Sequence, residues 1–450
     1  MENRLEKKYG LPTATAMVVG IVIGSGVFFK AEAVLAATGG DIRVGAAAWA
    51  LAGAVMLTSA GAFAVVAARQ GGAGGAADYA AAMVSPRYGY WVGWFLAVIY
   101  YPTLTAVLAW ASARYLCQLL GWTLEGLGLL ALAGILLCAA AGLNAAAPVV
   151  AGRLQVGAAA VKLAPLVLLA VVGIARGLSS GLLAENVAAG QASGQGMEGL
   201  LPAMVSVAFA YEGWIIAASI SGELRRPRRD LPVALATGSL VVMGVYMGYY
   251  VGLAGAVPTG ALLAAGPGAA QLAFQTLFGA AAGQWVLALV VVSCLGGLNG
   301  LTMANCRGLY ALAVRGEGPR PASFARLSPV KGMPSRSAAA GLALAALWLV
   351  HYWAHAGERL PGFLDFDSSE LPIITLYGMY VPIFLGLMAR GRGLGWLKRF
   401  LLPALALAGC AFMVMASLLA HSREMVAYLL VFAGTMALGG LAGRPGGRGV

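Results

Sequence analysis

Two glycines interrupt the first long apolar run of this chain. The run covers Met17–Phe29, and the tripeptide Gly24-Ser25-Gly26 lies near its centre. Glycine destabilises a helix interior by about 1 kcal/mol relative to alanine, so the tripeptide predicts that the helix breaks there. Inside a membrane, broken backbone is tolerated only where it is buried in protein or lines a wet cavity. The alternative explanation is close glycine-mediated packing of two helices.

The composition shows why the membrane is the relevant environment. Of the 450 residues, 60% are hydrophobic and only 10% are charged, whereas soluble chains carry about 25% charged residues. This predicts an all-α polytopic membrane protein and excludes a soluble enzyme with one anchor. No small-residue cleavage site follows the charged start of the chain, so we expect no signal peptide.

Twelve apolar segments predict twelve transmembrane helices. They cover residues 12–37, 45–68, 88–119, 124–143, 150–175, 199–222, 234–257, 281–313, 337–354, 370–389, 399–419 and 425–442. Segments three and eight exceed the usual span length, so we expect them to be tilted.

Lysine and arginine are distributed unevenly between the two sides of these segments. With the N-terminus inside, 21 of the 29 basic residues fall on the inner side and four on the outer side. The positive-inside rule therefore predicts that both termini are cytoplasmic. We expect a multi-pass protein of the plasma (cell inner) membrane. Anionic lipid at the inner face accounts for the net charge of +12 without a nucleic-acid partner.

A second interruption occurs five segments later, at Phe209–Trp214, where Glu212-Gly213 divides an apolar run. Two interrupted segments in corresponding positions are typical of inverted structural repeats. We therefore predict a five-plus-five inverted repeat with discontinuous first and sixth helices. The predicted units are the N-terminus 1–11, repeat one 12–176, repeat two 199–390, two further helices in 398–442, and the C-terminus 443–450.

At the first break, we expect free backbone groups of opposite partial charge. Free N–H groups of Ser25, Gly26 and Val27 would begin a new half-helix, whose positive end suits a carboxylate. Carbonyls of Gly20, Ile21 and Ile23 would end the preceding half-helix and suit an ammonium group. Donors and acceptors around one small cavity match the two ends of an α-amino acid.

Three side chains are candidates for function at membrane depth. Phe209 flanks the second break and could cover a bound substrate, although packing also explains a lone aromatic residue. Glu212 is an expensive mid-span carboxylate that could bind protons, a substrate amine or a cation, or form a structural salt bridge. Lys162 lies too deep to reach the membrane surface easily, and the freed carbonyls of the first broken helix are natural partners for it.

Other polar residues give weaker signals. Asn299 and Tyr246 lie at membrane depth, where interhelical hydrogen bonds are commoner than ligand contacts. The chain contains no metal-site, phosphate-loop or nucleophile motif, so we expect no cofactor, no metal and no catalytic residue. Its five cysteines lie in or beside apolar spans and are predicted to be small core residues: Cys117, Cys138, Cys294, Cys306 and Cys410.

Together these motifs resemble the amino acid–polyamine–organocation superfamily and, within it, the L-amino acid transporter family. The resemblance runs from about residue 5 to residue 440. It rests on Val19–Phe29, Lys162, Phe209–Trp214, Gly222–Pro232, Val245-Tyr246, Ser293–Gly300 and Arg307–Ala313.

The resemblance implies a LeuT-like fold, with ten core helices in inverted repeats plus two more, and sodium-independent amino acid exchange. It implies that Ser25 and Gly26 bind the substrate carboxylate. Carbonyls of Ile21, Phe209 and Ala210 would bind the amine, and Phe209 would act as a gate.

The resemblance assigns further roles as well. Lys162 would replace the sodium site of ion-coupled relatives, and Tyr246 would couple the moving helices to that site. The side-chain pocket would be shaped by Tyr100, Tyr101 and Asn299.

One departure from the family concerns a partner. Animal members carry a cysteine in the external loop after segment three, which forms a disulfide with a helper glycoprotein. The corresponding loop here, Gln118–Leu124, has no cysteine, so we expect no such partner.

The substrate and the coupling stay open at this level. Gly- and Ala-rich site segments favour small neutral substrates such as alanine, serine or threonine. The alternatives are a proton-coupled amino acid or polyamine symporter, which Glu212 keeps open, and a non-transporting amino acid sensor.

Overall fold

The computed structural model describes residues 10–24, 26–70, 75–193, 198–216, 224–328, 333–420 and 422–443. Ser25, most of the predicted cytoplasmic ends and part of the Gly222–Pro232 motif lie outside these ranges. The described chain is built from helices, which confirms the predicted all-α class.

The helices of the first half are α1 (Leu11–Val22), α2 (Gly26–Ala37), α3 (Ile42–Gln70), α4 (Ala76–Met83), α5 (Pro86–Phe95), α6 (Tyr101–Leu120), α7 (Gly126–Ala146), α8 (Pro148–Ser180) and α9 (Leu182–Ser193). Those of the second half are α10 (Leu200–Ala210), α11 (Pro227–Ala256), α12 (Thr259–Ala265), α13 (Ala269–Phe278), α14 (Ala280–Val314), α15 (Pro321–Phe324), α16 (Ser335–Ala356), α17 (Leu371–Arg390), α18 (Leu402–Ala420) and α19 (Ser422–Ala442). Short π-helical turns precede α6 (Leu96–Tyr100) and α18 (Leu397–Leu401), and a 3₁₀ turn (Gly266–Gly268) precedes α13.

Ten helical stretches in the described residues are long and apolar enough to cross a membrane. The difference from the predicted twelve arises at predicted segments one and six. Segment one is divided into α1 and α2, each of 12 residues. Segment six is represented by the shorter apolar stretch Leu200–Ile216. Neither piece of segment one reaches the length of about 20 residues that a continuous span needs.

The first break follows α1 directly. Ile23 leaves the helical region with a ψ of 89°, and its N–H donates to the Val19 carbonyl. The Gly24 N–H donates to the Val22 carbonyl over 2.8 Å, and α2 begins at Gly26. The helix predicted to break at the glycines therefore does so.

The second break follows α10. Tyr211 caps the helix, and Gly213 has a φ of 101°, which side-chain-bearing residues rarely adopt. A single 3₁₀ turn then covers residues 214–216. The glycine in the predicted second interruption is thus favoured by the backbone, because its φ is positive.

The broken helices pack against long continuous ones. Helix α1 lies against α8 and α11, while α2 lies against α10. A separate set of long helices, α6, α14 and α16, packs together with α7 beside them. The two breaks are therefore close to each other and enclosed by uninterrupted helices.

The π-helical turn Leu96–Tyr100 has a local cause. Pro102 has no N–H, so the Val98 carbonyl four residues earlier loses its usual helical donor. The indole of Trp348, on α16, donates to that carbonyl over 3.1 Å. Such π turns occur frequently at functional sites, and Tyr100 is the last residue of this one.

The cysteines give one correction. No disulfide joins them in the described part of the chain, and four are buried as predicted, but Cys138 is exposed. It lies on α7, and only 22% of the most apolar 18-residue stretch of this helix is buried within the protein. The prediction of a core position is wrong for Cys138 because most of this helix faces outward.

We predict that Trp348→Phe lowers the free energy of unfolding by about 0.5–1.5 kcal/mol, since it removes the indole donor of the partly buried Val98 carbonyl. Thermal unfolding of the detergent-purified protein measures this. Trp285→Phe is the matched control, because Trp285 is 74% exposed. Equal melting temperatures for the two variants would contradict the assigned bond.

Candidate functional site

A small cavity of about 40 Å³ lies where the two helix breaks meet. It is lined by Val22, Gly24, Gly26, Leu104, Leu108, Phe209, Ala210, Glu212, Gly213 and Leu301. This volume holds a few water molecules. The lining residues therefore leave almost no room for an organic solute between them.

Gly26 brings the two breaks into direct contact. A Cβ atom placed on it would lie 2.9 Å from the Ala210 Cα and 3.3 Å from the Phe209 Cδ1. Contacts under 3.0 Å are essentially never made by real Cβ atoms. Only glycine at this position lets α2 start against the end of α10.

Three helix ends converge on this cavity. Helix α2 begins at Gly26, and its first N–H groups have no partner within the helix. Helices α1 and α10 end beside it at Val22 and Ala210. A helix start carries partial positive charge and a helix end partial negative charge. The cavity therefore has one positive and two negative backbone ends.

Glu212 is 6% exposed and lies at the second break. Its Oε2 accepts hydrogen bonds from the Tyr100 hydroxyl over 2.9 Å and from the Gly213 N–H over 3.1 Å. Its Oε1 has no hydrogen-bond partner among the described residues. No salt bridge of Glu212 occurs in the described part of the chain, so a hydroxyl and a backbone amide hold this carboxyl group in place of a cation.

Lys162 is fully buried on α8. Its Nζ donates to the Gly20 carbonyl over 3.2 Å, one of the carbonyls identified from the sequence. This contact ties the middle of α8 to the last turn of α1.

Tyr246, on α11, also contacts the C-terminal end of α1. Its hydroxyl donates to the Val22 carbonyl over 2.9 Å. Its ring lies 5.5 Å from Trp49 and 5.3 Å from Tyr211, measured between centroids. Because Tyr211 follows α10, Tyr246 contacts the ends of both broken helices.

The remaining predicted residues are placed as follows. Gly26, Phe209, Ala210 and Glu212 line the cavity, whereas Val27, in the first turn of α2, does not. Ile21 belongs to the last turn of α1, beside the first break. Ser25 is outside the described residues.

Asn299 lies on α14 and accepts a hydrogen bond from Asn144 of α7 over 2.9 Å, and it does not line the cavity. Tyr101 packs edge-on against Tyr100, with ring centroids 5.6 Å apart. The predicted pocket tyrosines therefore reach the cavity through Glu212.

The sequence did not reveal the apolar wall of Leu104, Leu108 and Leu301. Leu104 and Leu108 are one helical turn apart, but leucines at this spacing occur along most spans and give no distinctive signal. As for metals, no cluster of three or more potential ligands occurs in the ranges that the structure covers.

Comparison with known proteins decides the family. The family model described as amino acid permease matches residues 9–439. The chain belongs to the amino acid permease family. The permease is therefore a multi-pass membrane transporter and not an enzyme.

Individual relatives agree with this assignment. The permease is 28% identical over 455 residues to the serine/threonine exchanger SteT of Bacillus subtilis, covering 99% of the permease and 97% of that protein. It is 29% identical over 322 residues to the human large neutral amino acids transporter small subunit 2, covering 70% and 59% of the two chains. It is 22% identical over 420 residues to the human cystine/glutamate transporter, covering 92% and 81%.

We predict that Gly26→Val weakens amino acid binding by the permease by about tenfold or more, because the added side chain must displace α10 from the cavity. Equilibrium binding to the purified protein measures the effect. Gly142→Val on α7 is the control, since nothing lies within 4 Å of a Cβ at that position. Wild-type affinity in the Gly26 variant would refute the location of the site.

Proposed function

We propose that the protein exchanges small neutral L-amino acids, such as alanine, serine and threonine, across the plasma membrane by alternating access and without sodium. The observation that carries this proposal is the convergence of one positive and two negative helix ends on a single cavity. This polarity matches a zwitterion with its carboxylate and ammonium groups on one carbon. The similarity to a serine/threonine exchanger supports the substrate class.

In this proposal the substrate carboxylate binds the start of α2, at the N–H groups of Ser25, Gly26 and Val27. The ammonium group binds the carbonyls of Ile21 and Phe209 and that of Ala210. The Phe209 side chain, which lines the cavity, closes over the bound substrate as a gate.

Lys162 supplies a fixed positive charge at the end of α1, in the role that a sodium ion has in ion-coupled transporters. Its hydrogen bond to the Gly20 carbonyl supports this role. Tyr246 couples that position to the second break through Val22 and Tyr211.

The walls favour a short side chain. Leu104, Leu108 and Leu301 leave little room beside the backbone groups. Tyr100 contributes to the pocket indirectly, through its hydrogen bond to Glu212. Asn299 contributes through its hydrogen bond with α7, which holds α14, the helix that carries the wall residue Leu301.

The same proposal includes a topology of twelve spans in a LeuT-like arrangement. The interrupted stretches α1–α2 and α10 with its following turn count as spans one and six, repeats one and two cover 12–176 and 199–390, and two further helices follow in 398–442. Both termini, 1–11 and 443–450, are cytoplasmic and face anionic lipid. Because the loop Gln118–Leu124 has no cysteine, the protein acts without a disulfide-linked helper glycoprotein.

A proton-coupled symporter is the second candidate, and one observation favours it. The Oε1 atom of Glu212 is buried without a partner among the described residues, so it is available to bind a proton or to accept a hydrogen bond from the substrate. Proton transfer at this atom would link transport to pH.

Proteoliposome uptake tests the proposal. The purified protein is reconstituted and offered a labelled amino acid panel, with and without internal amino acid, a sodium gradient or a pH gradient. Uptake that requires internal amino acid and no ion gradient supports exchange. Uptake driven by a pH gradient into empty vesicles would replace exchange with proton coupling.

We predict that Lys162→Ala reduces exchange at least about tenfold while leaving membrane insertion intact, because the Gly20 carbonyl loses its cationic donor. Initial rates in proteoliposomes measure this, normalised to the folded protein. Lys398→Ala removes an exposed lysine and serves as control. Normal exchange by the Lys162 variant would remove that residue from the mechanism.

Glu212→Gln separates the two candidate functions. For an exchanger, we predict that this variant keeps transport with an unchanged pH profile, because an amide can still accept from Tyr100. Exchange rates measured across the pH range test the prediction. Loss of pH-dependent uptake in the variant would favour the symporter.

A further inference from the structure

A buried ion pair joins α2 to the start of α17. The Lys30 Nζ lies 2.6 Å from the Glu370 Oε1, and the two residues are only 6% and 4% exposed. Desolvating two charges is costly, so a buried pair contributes little net stability. Burial of both charges next to the site calls for an explanation other than stability.

The ion pair also includes the second broken helix. Ser206 on α10 donates its hydroxyl to the same Glu370 Oε1 over 2.9 Å. Lys30 lies one helical turn beyond Gly26, and Ser206 lies one turn before Ala210. One carboxylate oxygen thus receives hydrogen bonds from both half-helices, just beyond their contact at the cavity.

Lys30 additionally contacts the proposed gate. Its Nζ is 5.4 Å from the centroid of the Phe209 ring, within the range of a cation–π interaction. The ammonium group therefore contacts both the Glu370 carboxylate and the Phe209 ring.

The carboxylate is held by a segment that is anchored elsewhere. The Ser369 N–H donates to the Asp367 Oδ1 over 2.6 Å. The Asp367 N–H donates to the Glu424 Oε2 on α19 over 2.9 Å. Glu370 is therefore fixed relative to α17 and α19, outside the pair of broken helices.

We infer that Lys30 and Glu370 are positioning residues for Phe209. Their ion pair clamps α2 and α10 against α17, which holds the ring over the cavity and closes the side of the membrane towards which α2 runs. Substrate passes on that side only when the pair separates. The part of the inference that concerns substrate rests on the proposed function, whereas the clamp itself can be measured without any substrate.

The first measurement is hydrogen–deuterium exchange of the purified full-length protein. In Lys30→Met and Glu370→Gln we expect faster amide exchange in α2 and α10, with α6 and α14 unchanged. The charge-reversed double variant, Lys30→Glu with Glu370→Lys, should return exchange towards wild type. Faster exchange throughout the protein, or no change in α2 and α10, would overturn the inference in favour of a purely structural pair.

The second measurement is dissociation of labelled alanine or serine from the same variants. Each single variant should release substrate at least about tenfold faster than wild type, because a buried partner has been removed from the clamp. Ser206→Ala should act in the same direction and more weakly, which keeps the test available if the charge variants fold poorly. Dissociation at the wild-type rate in all of them would contradict the inference.

Arg43→Gln is the matched control. It breaks the ion pair between Asp41, in the loop after α2, and Arg43, in the first turn of α3, whose side chain is 46% exposed. Neither measurement should change in this variant. If wild type transports no amino acid but the exchange pattern of α2 and α10 changes as expected, the proposed function fails and the clamp stands.

Discussion

Backbone groups freed inside an apolar bundle must find partners, and this constraint organises the whole protein. The carbonyls at the end of α1 are bound by Lys162 at Gly20 and by Tyr246 at Val22. A third freed carbonyl, in the π-helical turn before α6, is bound by Trp348. In each case the donor comes from a long continuous helix. The breaks are therefore stabilised from outside, by helices that do not break.

The helix ends themselves meet at the cavity. The start of α2 and the ends of α1 and α10 meet at Gly26, where only a glycine allows the approach. The partial charges of backbone groups interact more strongly with a ligand in a low-dielectric site, because little water screens them. In the proposed function, the two groups common to all α-amino acids would be recognised by backbone alone, and side chains such as Leu104 and Leu301 would discriminate by size.

The sequence predicted the residues that are conspicuous in an apolar chain. Glycine pairs and mid-span charges stand out, so the two breaks, Lys162 and Glu212 could be located. Pairing between distant segments could not, because many partners are available to a lysine such as Lys30 or an amide such as Asn299. The π-helical turn had a visible cause in Pro102, but proline in a span is also compatible with a simple kink. The apolar wall had no signal, since leucine is common throughout.

Trp49 gives the aromatic contacts at the breaks a further meaning. Its ring packs against both Tyr211 and Tyr246, and its carbonyl accepts from the Tyr211 hydroxyl over 3.0 Å. Trp49 on α3 therefore contacts the residue that follows α10 and is linked to the end of α1 through Tyr246. In the proposed function, a displacement at one break would be transmitted to the other through these rings. Such coupling would work against a state that is open to both sides of the membrane at once, through which amino acids would leak.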